Sequence, residues 1–200
     1  AWRPHRDSFG RWLEGMLTWL TGSEIGLAES RAGNNHASWW ANHVATYAAI
    51  IGDTGRVERA FAHFRDVLIP GQMRPDGGCE RELERTRSMH YSLFNLDAWA
   101  CLCELARNRG VDLWHFRTAD GRGIGRGIEF MLPYVDDPYR WKWQQIDGLP
   151  PEDRLSFQLA SLRLGMEEAA RVNRKALSNR YLVRGQDPLG PLCFFPGFLY

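Results

Sequence analysis

The chain has 200 residues, and its 25 basic and 24 acidic side chains give a formal net charge of +1 at pH 7. This length is enough for one domain with a sizeable hydrophobic core. Because the charges nearly cancel, no overall field would recruit nucleic acid or an anionic membrane surface, and we expect neither partner. No apolar run approaches the length of a membrane-spanning helix, and the cysteines lack the paired CxxC spacing typical of zinc sites.

Apolar residues recur at three- and four-residue steps along the first third of the chain, which predicts amphipathic helices. A first helix is predicted over residues 9–20 and a second over residues 39–51. Thr54 is suited to cap a third helix over residues 57–68, which Pro70 would stop.

The rest of the chain continues this helical pattern. A fourth helix is predicted over residues 82–108, a fifth over residues 121–134, and two more within residues 151–182. The aromatic stretch between the fifth and sixth helices is predicted to be a loop. No segment alternates with period two, so the fold class we expect is all-α, built from antiparallel helical hairpins stacked side by side.

The stretch RAGNNHASWWANH places two asparagines and a histidine at the predicted start of the second helix. One interpretation is structural: Asn34 or Asn35 caps the helix by accepting a hydrogen bond from a free backbone N–H group. A single cap, however, needs only one residue. Since a helix N-terminus already attracts anions, an asparagine amide and the His36 imidazole would add donors suited to a carboxylate. The residues alone leave both interpretations open.

A second polar cluster lies in the stretch RELERTRSMHYSLFNL. Arg87 and Tyr91 are four residues apart and would share a helical face, with Arg85 just before them. In the structural interpretation Tyr91 is a core aromatic, and the arginines form a solvated face that pairs with Glu82 and Glu84. In the functional interpretation the neighbouring cations favour the deprotonated phenolate form of Tyr91, which can act as a base. Once protonated, the phenol can return that proton as an acid.

Together these stretches resemble the alginate lyase superfamily of polysaccharide lyases. The chain reads NNHASWW and then PDGGCERELERTRSMHYSLFNL, and members of the superfamily have NNH-x-x-W, a DGS-like turn, EL-x-R-TR and HYS-x-F-NL in this order. The resemblance covers roughly residues 9–135. It implies an α/α toroid, here an incomplete barrel of antiparallel helical hairpins. We expect residues 1–200 to form a single toroid domain that lacks the N-terminal hairpins of the full family domain.

The resemblance also implies β-elimination on a uronic-acid polymer, with no metal ion or other cofactor. In this interpretation Asn35, His36 and Arg85 neutralise the sugar carboxylate, which stabilises the enolate-like intermediate. Tyr91 matches the tyrosine that removes the C5 proton, protonates the glycosidic oxygen, or does both. His36 would act as the base instead when the C5 proton lies on the opposite face of the sugar ring.

Other residues are candidates for contacts with the substrate. Arg87 is predicted to bind the substrate, and His90 either lines the groove or packs inside the protein. Trp141 and Trp143 alternate with basic residues in the predicted aromatic loop, a pattern that suits an acidic sugar because aromatic faces pack against pyranose C–H groups. The alternative is that both tryptophans fill a helix interface.

The function we expect is therefore that of a lyase that cleaves alginate, polymannuronate or a glucuronan. No opposed pair of carboxylates, the requirement of a glycoside hydrolase, stands out in the sequence. The alternative is a non-catalytic protein that binds acidic polysaccharides or serves as a helical scaffold. The expected partners are the polysaccharide and, as a candidate, the missing N-terminal part of the domain. The size of such a substrate predicts a secreted or periplasmic location.

Overall fold

A computed structural model describes residues 5–146 and 154–184 of the chain, with side chains up to residue 176 in the last helix. The α-helices of these residues are α1 (Arg6–Gly22), α2 (Glu24–Ser30), α3 (Asn35–Ile51), α4 (Thr54–His63), α5 (Ile69–Gln72), α6 (Glu80–Leu83), α7 (Ser88–Arg107), α8 (Ile124–Asp136), α9 (Leu155–Leu164) and α10 (Glu167–Arg184). A π-helical turn (Phe64–Leu68) joins α4 to α5, and a 3-10 turn (Pro138–Arg140) follows α8. The described residues contain two isolated β-bridges and no strand, so the all-α prediction is confirmed.

Helices α3 and α7 pack side by side at the centre of the fold. They run parallel, because Trp39 contacts Phe94 and, one turn further along both helices, the Asn42 amide donates to the carbonyl oxygen of Ala98. Both helices therefore begin at the same end of the molecule. This placement brings the two polar clusters of the sequence to one side of the fold.

Helices α1 and α4 both run antiparallel to α3. The indole of Trp40, near the start of α3, donates to the Leu20 carbonyl, near the end of α1. Tyr47, later in α3, contacts Trp12, which lies earlier in α1. On the other side, Gly52 closes α3 in the left-handed region (φ 83°), and α4 packs back against α3. These antiparallel hairpins fit an α/α toroid.

Two predicted helix boundaries differ from the structure, and one helix was not predicted. Asp53, and not Thr54, caps α4, because its carboxylate accepts from the backbone N–H of Arg56 at 2.9 Å. The third helix does not stop at Pro70, because α4, the π-helical turn and α5 follow one another without a gap and Pro70 lies within α5. Helix α2 was not predicted at all.

The fourth predicted helix, over residues 82–108, is in fact broken. Helix α6 ends at Leu83 and α7 begins at Ser88. Between them the backbone pairs with a distant segment: the Ser88 N–H donates to the Gln144 carbonyl, and the Ile146 N–H donates to the Thr86 carbonyl. These contacts replace the hydrogen bonds that a continuous helix would have made.

The last third of the described chain agrees better with prediction. Helix α8 starts at Ile124, after Gly121 in the left-handed region (φ 85°), and Gly165 (φ 65°) separates α9 from α10. None of the helices in residues 5–146 and 154–184 is long and apolar enough to cross a membrane. In the same residues, no group of three or more His, Cys, Asp or Glu side chains is placed to hold a metal ion.

Candidate active site

The start of α3 resolves the question raised by the two asparagines. Asn34 is the cap, since its side-chain oxygen accepts from the His36 backbone N–H at 3.1 Å. Gly33 precedes it at φ 68°, where a residue with a side chain would be strained, and this turn directs the chain into the helix. Asn35 is therefore not needed as the cap.

Asn35 is buried and faces the carboxylate of Glu82. The backbone N–H of Asn35 donates to Oε1 of Glu82 at 2.5 Å, and its side-chain amide donates to Oε1 at 2.9 Å and to Oε2 at 3.0 Å. This contact engages the amide hydrogens that we predicted would bind a sugar carboxylate. Glu82 itself is fully buried, so the structural interpretation, in which it pairs with arginines on a solvated face, does not hold for this residue.

Glu82 also links the two polar clusters. Burial raises the pKa of its carboxyl group, and the hydrogen bonds from Asn35 oppose that shift. The positive charge of Arg85 also acts to lower this pKa. The hydrogen bonds between Asn35 and Glu82 thus join the two stretches of sequence.

His36 is at the surface and contacts a second carboxylate. Its Nδ1 atom lies 2.7 Å from Oε2 of Glu29, which comes from the end of α2. The side chains of His36 and Glu29 are 48% and 42% exposed. Because an ionised carboxylate can only accept, this contact places a proton on Nδ1.

The break between α6 and α7 positions Arg85 against Tyr91. The guanidinium carbon of Arg85 lies 4.0 Å from the centroid of the Tyr91 ring, a cation–π contact. Tyr91 is in the first turn of α7 and is half-buried. Arg87 is the N-cap residue of α7, and its carbonyl oxygen accepts from the Tyr91 N–H at 3.0 Å, so the shared face of the two side chains stays a prediction.

The N-terminus of α7 is capped by a residue from the aromatic loop. Arg87 makes no side-chain cap, and the Gln145 side-chain oxygen instead accepts from the backbone N–H of Met89 at 3.1 Å and lies 3.5 Å from that of His90. The Trp141 indole donates to the Ser88 hydroxyl at 2.8 Å. The loop after α8 therefore holds the helix start that carries Tyr91.

His90 lies beside Tyr91 in a mixed environment. Its ring is stacked on Phe94 with an interplanar angle of 13° and meets the Tyr91 ring edge-on. Its Nδ1 atom lies 3.3 Å from a guanidinium nitrogen of Arg154, which can only donate. His90 is thus half-buried and held in place by its neighbours, and a contact with the substrate groove stays a prediction.

The two candidate tryptophans have different environments. Trp141 is only 8% exposed and packs against Tyr134 and Trp143, so it fills the helix interface as in the structural alternative. The prediction that Trp141 is a surface platform for sugars is corrected accordingly. Trp143 is half-buried, with its ring against Phe130 and Tyr134, and its role in binding stays a prediction.

Beneath the site, a buried polar network ties α3, α5 and α7 together. Gln72 donates to the Asn34 carbonyl at 3.1 Å and accepts from the Ser38 hydroxyl and from the Asn95 amide. Ser38 in turn accepts from the indole of Trp99 at 2.8 Å. Because all of these contacts lie in the interior, they fix the start of α3 against α7.

The sequence analysis did not single out three of the residues that shape this site, Glu29, Gln72 and Gln145, and it gave Glu82 no role in the site. Each of the four contacts a partner that is distant in sequence or lies on another element. For Glu82 a signal was present, because the EL-x-R-TR motif begins at this residue.

Comparison with known proteins agrees with this architecture. The model of the alginate lyase family matches residues 1–141 of the chain. The crystal structure of an alginate lyase from Bacteroides ovatus has the same fold, with a TM-score of 0.79 at 23% sequence identity. The match covers 89% of this chain and 49% of that one, so this chain spans about half the length of that relative. A search among curated proteins found no match.

Proposed function

The chain belongs to the alginate lyase family, and we propose that it cleaves a uronic-acid polysaccharide, alginate or a glucuronan-like polymer, by β-elimination. The observation that carries the proposal is the set of hydrogen bonds between Asn35 and Glu82, which joins the segment of His36 to that of Arg85, together with the Arg85 guanidinium against the ring of Tyr91. A cation, an imidazole and a phenol are the groups that this reaction requires.

In the proposed reaction a base removes the proton from C5 of the uronate. The electrons of the C5–H bond form the C4=C5 double bond, and the C4–O4 bond breaks. Its electron pair leaves on O4, which takes a proton from an acid. Because negative charge builds up on the uronate carboxylate during this process, nearby positive charge lowers the barrier.

Arg85 is the group that we assign to the carboxylate, since it is always charged and lies beside Tyr91. Tyr91 transfers protons, as base and acid or as acid alone. His36 adds positive charge or acts as the base. Asn35 acts in this scheme by holding Glu82 and the start of α3, since its amide faces that carboxylate.

The test is to incubate the protein with alginate, polymannuronate, polyguluronate and glucuronan in turn. The ultraviolet absorbance of the unsaturated uronate product is recorded for each polymer. Tyr91→Phe removes only the hydroxyl, and we expect it to abolish that absorbance while the far-ultraviolet circular dichroism is unchanged. Tyr139→Phe is the matched control, because Tyr139 is 92% exposed on the turn after α8. Equal activity in both variants would refute the role of Tyr91.

One observation favours a second function. The amide of Asn35 is engaged by Glu82 and so is not open to a sugar carboxylate, which makes a non-catalytic protein that binds acidic polysaccharides the alternative. Such a protein would retard alginate in an affinity gel without any new absorbance. For either function the polymeric substrate favours a secreted or periplasmic location, which we likewise propose.

A further inference from the structure

The contact between Glu29 and His36 joins two segments whose backbones are both fixed. The Ser23 hydroxyl caps α2, and Gly26 lies so close to the end of α1 that a Cβ atom there would stand 2.3 Å from the Leu20 carbonyl oxygen. The backbone of His36 is held by the Asn34 cap. The 2.7 Å contact between Glu29 and Nδ1 therefore follows from the way these helices pack.

This contact is too exposed to contribute much to folding stability. Both side chains are more than two-fifths exposed, and pairs of this kind are worth little in water. Its chemical consequence is larger, because the two ring nitrogens of a neutral imidazole differ: one carries the proton and the other carries the lone pair. A carboxylate at Nδ1 decides which nitrogen is which.

We propose that Glu29 is a positioning residue of the site, whose carboxylate keeps the proton of His36 on Nδ1 so that Nε2 can take the C5 proton. The inference rests on the proposed lyase function. In that step the C5 proton moves to Nε2, the C5–H electrons form the C4=C5 bond, and O4 leaves with a proton from the Tyr91 hydroxyl. Glu29 then faces the imidazolium ion that forms, and its negative charge stabilises it.

Other nearby groups do not take this role. The oxygens of Glu82 already accept from the backbone and the amide of Asn35. The Asn34 side chain accepts from the His36 backbone and not from its ring. Glu29 is thus the carboxylate that directly contacts the imidazole among the described residues.

The first measurement is the nitrogen-15 spectrum of the histidine rings at neutral pH, with the His36 signals assigned by their loss in His36→Gln. We expect a protonated Nδ1 and an unprotonated Nε2 in the wild type. In Glu29→Ala we expect the proton to shift to Nε2. A wild-type ring protonated at Nε2, or a ring unchanged in Glu29→Ala, would overturn the proposal whether or not the protein is a lyase.

The second measurement is kinetic and uses the same polymer panel. On the polymer for which His36→Gln removes most of the activity, we expect Glu29→Ala to lower kcat about tenfold with KM within about twofold, a part of what a general base contributes. Glu29→Gln should fall between wild type and alanine, because it keeps an acceptor but loses the charge. Glu24→Gln, an exposed residue at the other end of α2, is the matched control.

The two measurements separate the possible failures. If the wild type cleaves no polymer, the proposed function fails while the spectrum still reports on the pair. If the wild type is active and Glu29→Ala keeps full kcat on every polymer, the positioning role is wrong although the lyase function stands.

Discussion

The carboxylate of Glu82 is held by both the backbone and the side-chain amide of Asn35. These residues lie 47 positions apart, one at the start of α3 and the other in the short helix α6. The contact places His36, the next residue of α3, on the same side of the molecule as Arg85 and Tyr91. It is therefore a contact that joins the two halves of the candidate site.

Glu82→Ala tests that contact. The substitution leaves the donors of Asn35 buried without their acceptor, and the cost of such a loss is about 2–4 kcal/mol of unfolding free energy. Urea unfolding followed by circular dichroism measures it. Glu84→Ala is the control, since Glu84 is exposed two residues further along. Equal losses in both variants would contradict the role assigned to Glu82.

The pH dependence of stability follows from the same burial. Burial raises the pKa of Glu82 above its ordinary value of 4.5. The folded protein then holds this proton more tightly than the unfolded chain does, so this group favours folding less as the pH rises from 4.5 through the higher folded pKa.

Glu82→Gln cannot titrate and should lose that contribution to the pH dependence. We expect the unfolding free energy of the wild type, relative to that of Glu82→Gln, to fall between pH 4 and pH 7. Urea titrations of both proteins across this range provide the comparison, in which all other titrating groups cancel. A difference that stays constant or rises with pH would mean that the pKa of Glu82 is not raised.

The sequence predicted the helices well where their cause is local. The apolar periodicity and the Asn34 cap are properties of neighbouring residues, and α1, α3 and α7 form where helices were predicted. The buried face of α1 differs in part from the predicted one, because Trp12 and Trp19 are 54% and 45% exposed. The break between Leu83 and Ser88 could not be predicted in this way. It depends on backbone hydrogen bonds to Gln144 and Ile146, more than 50 residues away.

The same distinction holds for the site. The motifs indicated Asn35, His36, Arg85 and Tyr91 but not what each side chain contacts. A buried glutamate and an exposed glutamate look alike in sequence, so one of the two interpretations put Glu82 on a solvated face although it is fully buried. Likewise, the loop position of Trp141 did not reveal that its indole bonds Ser88 inside the protein.

Gln145→Ala tests whether the aromatic loop supports the start of α7. The Gln145 side chain replaces the missing cap of this helix, so we expect a loss of about 1 kcal/mol in urea unfolding, typical of a lost N-cap. If the protein is a lyase, its activity should also fall, because Tyr91 is in the first turn of α7. Gln144→Ala is a close control. In the hydrogen bonds of the described residues, Gln144 contacts Ser88 through its backbone carbonyl, which the substitution keeps. A stability loss in Gln144→Ala as large as that in Gln145→Ala would argue against the cap.

Arg85→Lys and Arg87→Lys separate the two arginines of the ERTR segment. Lysine keeps the charge but cannot stack a planar group on the Tyr91 ring, so in a lyase Arg85→Lys should lower kcat about tenfold, given a contact worth about 1–2 kcal/mol. Arg87 is the cap residue of α7 and is proposed to bind substrate, and Arg87→Lys should therefore act mainly on KM. Steady-state kinetics on the most active polymer distinguishes the two, with circular dichroism as the check on folding. If Arg87→Lys lowered kcat and Arg85→Lys did not, Arg87 would have to be assigned to the substrate carboxylate. The contact of Arg85 with the Tyr91 ring would then be structural.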